Sequence, residues 1–414
     1  MTVVYTPYPL CVQEYGVKMS LHELKIKKLS LAYFFLLPGL SYGILTSRMP
    51  SLKGQIEAMD SDIGFLLLSF GLSGVLSLSM ASFIIRIFSA TSILKLAVFL
   101  FIAGDCALGL CQNMLQAVIC MITIGFAFGI IDVCINILGI RLESTYQVSC
   151  MGFLHGAYAI GGLGGALLGS LCAAFNLNLF INYTAIFFIY SIFTFTAFSH
   201  LITKTKEQTE TKNKDKNKAR IWASLPLFII CLGLLNGISY AIEGSMAEWG
   251  SILLHEEKGA SQSLSALLYA AMCLSLTMTR LVIDRIRSKV SDYKILLTAA
   301  CIVAVTTLAG LHATNPYLCL LLFCLMGIGA APVSPILFSK AGAQKTLNAE
   351  SATSIVAAIS YSGLLFFPPF IGFMAQMYTL QIALHIVIIF ALIIGAGSFL
   401  IRHVDIKNGI VRKY

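Results

Sequence analysis

The sequence predicts an all-α membrane protein whose twelve transmembrane helices form two pseudo-symmetric six-helix bundles. Three observations carry this. Of 414 residues, 58% are hydrophobic and 11% charged, with mean hydropathy +0.86, far from the roughly 25% charged composition of soluble domains. Twelve apolar runs each approach the ~20 residues that a rise of ~1.5 Å per residue needs to cross a hydrocarbon core of ~30 Å. A basic block near the midpoint, with Lys204, Lys206, Lys212, Lys214, Lys216, Lys218 and Arg220, divides them six and six.

In the first half the runs place helices at about 29–47, 63–85, 92–111, 115–140, 149–175 and 179–201. The second half follows at about 222–246, 263–283, 293–312, 316–339, 352–377 and 380–401. The chain therefore divides into a cytoplasmic segment 1–28, an N-terminal bundle 29–201, a basic cytoplasmic linker 202–221, a C-terminal bundle 222–401 and a cytoplasmic tail 402–414. The first 28 residues are mixed in character and run into a full span, as an uncleaved anchor does. Met19 is an alternative translation start to Met1.

An even number of spans puts both termini on one side, and the charges say which. Of the 28 basic residues the outer loops hold only Arg48, Lys53 and Lys258, while Glu243, Glu248, Glu256 and Glu257 cluster outside. Lys and Arg favour cytoplasmic loops, so both termini are expected in the cytoplasm, and the bacterial inner membrane is the expected location. The net charge of +9 reflects this orientation, and no nucleic-acid partner is expected. The outer loops are too short to hold a domain that binds a macromolecule. The lipid bilayer and a small-molecule solute are the expected partners, and the chain is expected to be monomeric.

Most of the twelve cysteines lie in apolar runs without a C-x-x-C pair, so they read as small apolar helix residues. No Walker A loop, H-E-x-x-H, G-x-S-x-G or paired His/Cys metal spacing is present. The chain is not expected to be an enzyme, and no cofactor or metal is implied; energy should come from a gradient.

An ionised side chain at mid-bilayer costs ~2.5 to 3.5 kcal/mol on insertion scales, so a carboxylate inside a span needs a reason. Asp132 is the clearest case. Gly125, Gly129, Asp132, Asn136 and Gly139 recur at intervals of four and three on one face of the fourth helix. Two readings of Asp132 stand: a group on the solute pathway that gains and loses a proton, or an ion pair with Arg141 or Arg86. Asn136 borders the same pathway or fixes helix packing.

In the fifth helix Gly161, Gly165 and Gly169 repeat at four-residue spacing and let a neighbouring backbone approach. They serve static packing or a sliding contact. His155, near the start of that helix, is a proton relay or a hydrogen bond fixing the helix against the fourth. Asn236, Tyr240 and Glu243 share a face of the seventh helix, followed by Glu248 and Trp249. Tyr and Trp offer a stacking surface with one polar handle, which suits sugar rings; Trp249 equally fits an interfacial aromatic belt. Pro332 and Pro335 in the tenth helix and Pro368-Pro369 in the eleventh should break those helices, as gating elements or as kinks.

These features resemble the major facilitator superfamily from about Leu29 to Ile401. Arg48-Met-Pro50, Asp132-Val-Cys-Ile-Asn136, Phe153-Leu-His155-Gly156 with Gly161-Gly162, and Ala247-Glu-Trp249 look like its fucose permease-like branch, which includes bacterial inner-membrane proteins of unassigned substrate. The family's loop signature is degenerate at 80–95, where Arg86 and Lys95 keep charge. Its counterpart is better kept as Arg280-Leu-Val-Ile-Asp284-Arg285. The resemblance implies that Arg280, Asp284 and Arg285 form a cytoplasmic charge latch; a solvated helix end is the plainer reading.

It further implies alternating access between the bundles and proton-coupled movement of a small polar solute, a sugar or sugar derivative. Asp132 stands for the fourth-span acid of that branch, but the first helix lacks the branch's other carboxylate. Efflux of amphipathic compounds and a non-transporting sensor or scaffold of the same fold are the alternatives.

Overall fold

The computed structural model describes residues 21–146, 148, 150–201, 226–344, 347 and 349–407. Eleven helices among them are long and apolar enough to cross a membrane. Leu179–Ser199, with 21 residues and no Asp, Glu, Lys or Arg, supplies the twelfth span. The basic linker lies outside the described residues.

In the N-terminal half the spans are Leu21–Ser47, Asp60–Ile87, Ala90–Leu108, Met114–Tyr146, Met151–Ala174 and Leu179–Ser199. In the C-terminal half they are Leu227–Ile252, Gln262–Arg287, Asp292–His312, Pro316–Ala330 with Val333–Ala343, Ala349–Met377, and Leu380–Ala383 with Ile386–Lys407. Several begin or end beyond the apolar runs. The first starts at Leu21 and takes in Lys25, Lys27 and Lys28, and the twelfth runs on through Asp405. Backbone hydrogen bonding does not stop where hydrophobicity does, so charged turns project past the apolar layer. The end of the molecule carrying Leu21 and Lys407 is the near face, and the opposite end the far face. A short helix, Met49–Gln55, caps the far face after the first span.

Proline marks two exceptional places. The tenth span is interrupted at Ala331–Pro332, where Pro332 lacks a donor. The eleventh span, expected to break at Pro368-Pro369, stays helical throughout. Two consecutive prolines leave only the carbonyls one turn earlier without donors, and packing holds the helix: Gly64 of the second span brings its backbone against Pro369.

Glycine sets the tightest seam of each half. A methyl group on Gly161 or Gly165 would lie 2.3 or 2.1 Å from the carbonyl oxygens of Leu36 and Leu40, and one on Gly39 or Gly43 would lie 2.1 or 2.2 Å from those of Tyr158 and Gly162. The first and fifth spans therefore touch backbone to backbone along about two turns. This is how helices associate where lipid removes the hydrophobic drive. The seventh and eleventh spans repeat the arrangement, with Gly363 against the Gly237 carbonyl. Between the halves, the fifth span packs on the eighth and the second on the eleventh.

Candidate substrate corridor and far-face closure

The interface between the halves is lined by aromatic and ionisable side chains from six spans. Asp132, half-buried in the fourth span, lies within electrostatic reach of His155 in the fifth and of Tyr361 in the eleventh, across the interface. Asn136 donates from Nδ2 to the Asp132 carboxylate at 3.1 Å and to its carbonyl at 2.8 Å. One turn separates the two residues, so the helix itself supplies the pairing. His155 is exposed and stacks edge-on against Phe35 at 5.2 Å. Asp132, Asn136 and His155 thus converge, on the half of the interface nearest the near face.

Opposite them, Tyr240 and Tyr361 meet edge to face with centroids 6.4 Å apart. Glu243 lies beyond Tyr240, and Arg280 donates to both of its oxygens at 2.9 and 3.1 Å. Arg280 also turns Nε toward the Ala331 carbonyl at 3.4 Å. That carbonyl sits four residues before Pro335, which has no N–H to give it. The arginine therefore holds the seventh span, the eighth and the broken tenth together. This places Arg280 away from the latch implied by the family pattern with Asp284 and Arg285. At the near face Arg287 pairs with Asp292 at 2.9 Å and lies within electrostatic reach of Asp284, and Lys340 pairs with Asp292 and Asp405 at 2.9 and 2.8 Å.

Toward the far face the corridor closes. Tyr42 of the first span meets Tyr269 of the eighth at 5.7 Å, edge on. The Tyr42 hydroxyl donates to Glu248 Oε1 at 3.2 Å. Beyond this layer further ties join the halves: Ser251 Oγ donates to the Thr46 carbonyl at 2.7 Å, Ser170 Oγ to the Ser263 carbonyl at 2.8 Å, and Ser51 Oγ to Gln262 at 3.1 Å. Lys53 bridges Asp60 of its own half and Glu256 of the other at 2.7 and 2.5 Å. Exposure rises in the other direction, from 7% at Glu248 to 45% at Tyr361. The corridor is shut at the far face and accessible from the near face.

Two residues expected to line the pathway sit elsewhere. Asn236 is fully buried in the seam of the seventh and eleventh spans, where its Nδ2 donates to Ser360 Oγ at 2.8 Å. Trp249 is also fully buried, its ring against the position of Gly372. It is neither in an aromatic belt nor open to the corridor, because the far-face closure encloses it. Gly161, Gly165 and Gly169 all pack on the first span, while Gly125 and Gly129 pack on the second.

Sequence reasoning missed Tyr42, Tyr158, Tyr269 and Tyr361. Each is a lone tyrosine in an apolar run, and only the three-dimensional meeting of different helices distinguishes a corridor tyrosine from one at the lipid surface. Asp105 was also missed, although its signal was the same as that of Asp132. It is 5% exposed in the third span, and Oδ2 meets no hydrogen-bonding group among the described residues.

A profile of the Major Facilitator Superfamily matches residues 31–344. The chain belongs to this superfamily. An uncharacterised MFS-type transporter of Yersinia pestis is 27% identical over 364 residues, covering 88% of this chain and 93% of the relative. Among solved structures, the nucleoside transporter NupG shares 16% identity with a TM-score of 0.73, covering 90% of this chain and 98% of NupG. A D-xylose-proton symporter shares 14% identity with a TM-score of 0.68, covering 91% and 97% of the two chains. At these identities the structures establish the fold. The protein is a multi-pass membrane transporter of the major facilitator class, which is not a class of enzymes.

Proposed function

We propose that this transporter carries a small polar solute with a stackable ring, a sugar or sugar derivative, by alternating access, and that protonation of Asp132 couples the movement to a proton gradient. The observation that carries the reading is the convergence of Asp132, Asn136 and His155 on one side of the corridor with Tyr240 and Tyr361 on the other. Phenol rings supply flat apolar surface and a hydroxyl each, which fits the alternating faces and rims of a sugar ring. A carboxyl beside an imidazole has a neighbour that can accept or return its proton, and the Asn136 amide fixes its orientation by donating to it. Solutes of this kind are carried by the nucleoside transporter and the D-xylose-proton symporter that share the fold.

Orientation follows from the charges. With Lys and Arg gathered at the near face, the termini are cytoplasmic in a bacterial inner membrane, and the state described is closed to the outside and open to the cytoplasm. The corridor lies between the halves of one chain, so a monomer suffices.

The test is a panel of neutral sugars, nucleosides, sugar acids and organic cations presented to proteoliposomes at two pH values. Accumulation of one ring-bearing neutral class under an inward proton gradient is the expected result. Accumulation of organic cations alone, driven outward, would replace this reading with efflux.

A further inference from the structure

Glu248 differs from the other carboxylates of the corridor. Glu243 is neutralised by Arg280, and Asp132 is half-buried beside an amide and an imidazole. Glu248 is 7% exposed, lies about one turn below the far end of the seventh span, and faces the other half of the molecule. Its Oε1 accepts one hydrogen bond, from Tyr42, and its Oε2 meets no hydrogen-bonding group among the described residues. A buried carboxylate without a cation is costly to ionise, whereas a neutral acid there is tolerable.

The groups around it supply no counter-charge. From the first span comes the Tyr42 phenol; the fifth and eighth contribute Tyr158, Tyr269 and Cys273 behind it, all neutral near pH 7. The second and eleventh spans approach through Gly64 and Gly372, against the Trp249 ring. The basic side chains of this end are directed elsewhere. Arg48 donates from Nη2 to the Leu177 carbonyl and lies within electrostatic reach of Cys172 and Tyr183 of its own half, its Nε and Nη1 meeting no hydrogen-bonding group among the described residues. Lys258 donates to Leu311 and Gln381, and Lys53 to Asp60 and Glu256. Burial would push the Lys53 ammonium down, but its hydrogen bonds to Asp60 and Glu256 hold it above the ordinary lysine value. It therefore stays charged between about pH 5 and pH 9 and adds no response in that window.

Tyr42 and Glu248 belong to different halves, so any opening of the far face must part them and admit water to the carboxyl. We propose that Glu248 is a proton-binding site whose occupancy is tied to far-face closure. The closed state holds the neutral acid; opening hydrates it, and the proton passes from the carboxyl to far-side water. This rests on the alternating-access reading and adds a second proton site to it. By linkage, the ratio of closed to open molecules falls as pH rises, by at most about tenfold per pH unit for one proton.

The experiment places noncanonical spin-label residues at Gly54 and Tyr378, on opposite halves of the far face, and measures their separation in nanodiscs between about pH 5 and pH 9 without solute. The wild type should shift toward the longer distance as pH rises. Glu248→Gln should stay closed across the range, and Glu248→Met carries the same expectation if the amide variant does not assemble. A wild type with no pH response, or a Glu248→Gln variant that retains one, would each overturn the proposal. Because no solute is involved, any of these results would leave the transport reading standing.

Discussion

The seam inside each half and the seam between the halves are built from the same residue types but to different lengths. Between the first and fifth spans, glycines on both helices bring backbone to backbone along much of the contact, and the seventh and eleventh spans come as close at the level of Gly237 and Gly363. Between the halves, close glycine contact is found at the far end, where Gly64 and Gly372 meet with Pro369 and Asp60. Side-chain ties join that end: Tyr42 to Glu248, Ser251 to Thr46, Ser170 to Ser263 and Lys53 to Glu256. A long backbone seam has no adjustable atoms, so it moves as one body. A short seam held by hydroxyls and one ammonium can part and reform. The halves are the rigid units and the far face is the clamp between them.

The largest expected effect comes from breaking a rigid seam. A side chain at Gly165 would start 2.1 Å from the Leu40 carbonyl, backbone that cannot step aside. Gly165→Leu should exceed the about 1–3 kcal/mol of ordinary overpacking and leave little monodisperse protein by size-exclusion chromatography. Arg280→Ala should come next. It strips Glu243 of its cation and the Ala331 carbonyl of its donor, and transport should fall at least about tenfold, since an orphaned charge near the membrane centre costs ~2.5 kcal/mol or more. Arg280→Lys, which keeps the charge but not the fork, should recover part of it.

Lys53→Ala tests the clamp. The ammonium is 12% exposed but its partner Glu256 is 38% exposed, and a pair so wetted is worth about 1 kcal/mol or less. Spin-label distances across the far face should report a severalfold rise in the open fraction, with protein yield unchanged. Tyr361→Phe is the mildest change. It keeps the ring that meets Tyr240 and removes one hydroxyl, so solute affinity should weaken by less than about tenfold, one hydrogen bond being worth about 0.5–1.5 kcal/mol.

How much of this was legible beforehand depends on the kind of signal. Hydropathy and charge asymmetry are properties of single segments, and they yielded the twelve spans. The Gly161, Gly165 and Gly169 spacing foretold a close helix contact, but not that Gly39 and Gly43 would answer it from the first span. Asp132 and Asn136 share a helix face, so their pairing follows from periodicity. Arg280 meeting Glu243, 37 residues away, depends on how two helices cross, and no local pattern encodes that. Trp249 and Asn236 were misplaced for the same reason: a polar or aromatic residue on the inward face of a helix can meet the corridor or a neighbouring helix, and periodicity cannot separate the two.

Asp132 is proposed to couple solute movement to protons. Its most direct test compares gradient-driven accumulation with solute exchange in proteoliposomes carrying the wild type or Asp132→Asn. The account predicts that the variant loses accumulation under an inward proton gradient while exchange at equal solute concentrations continues. Accumulation in the variant equal to that of the wild type would contradict it.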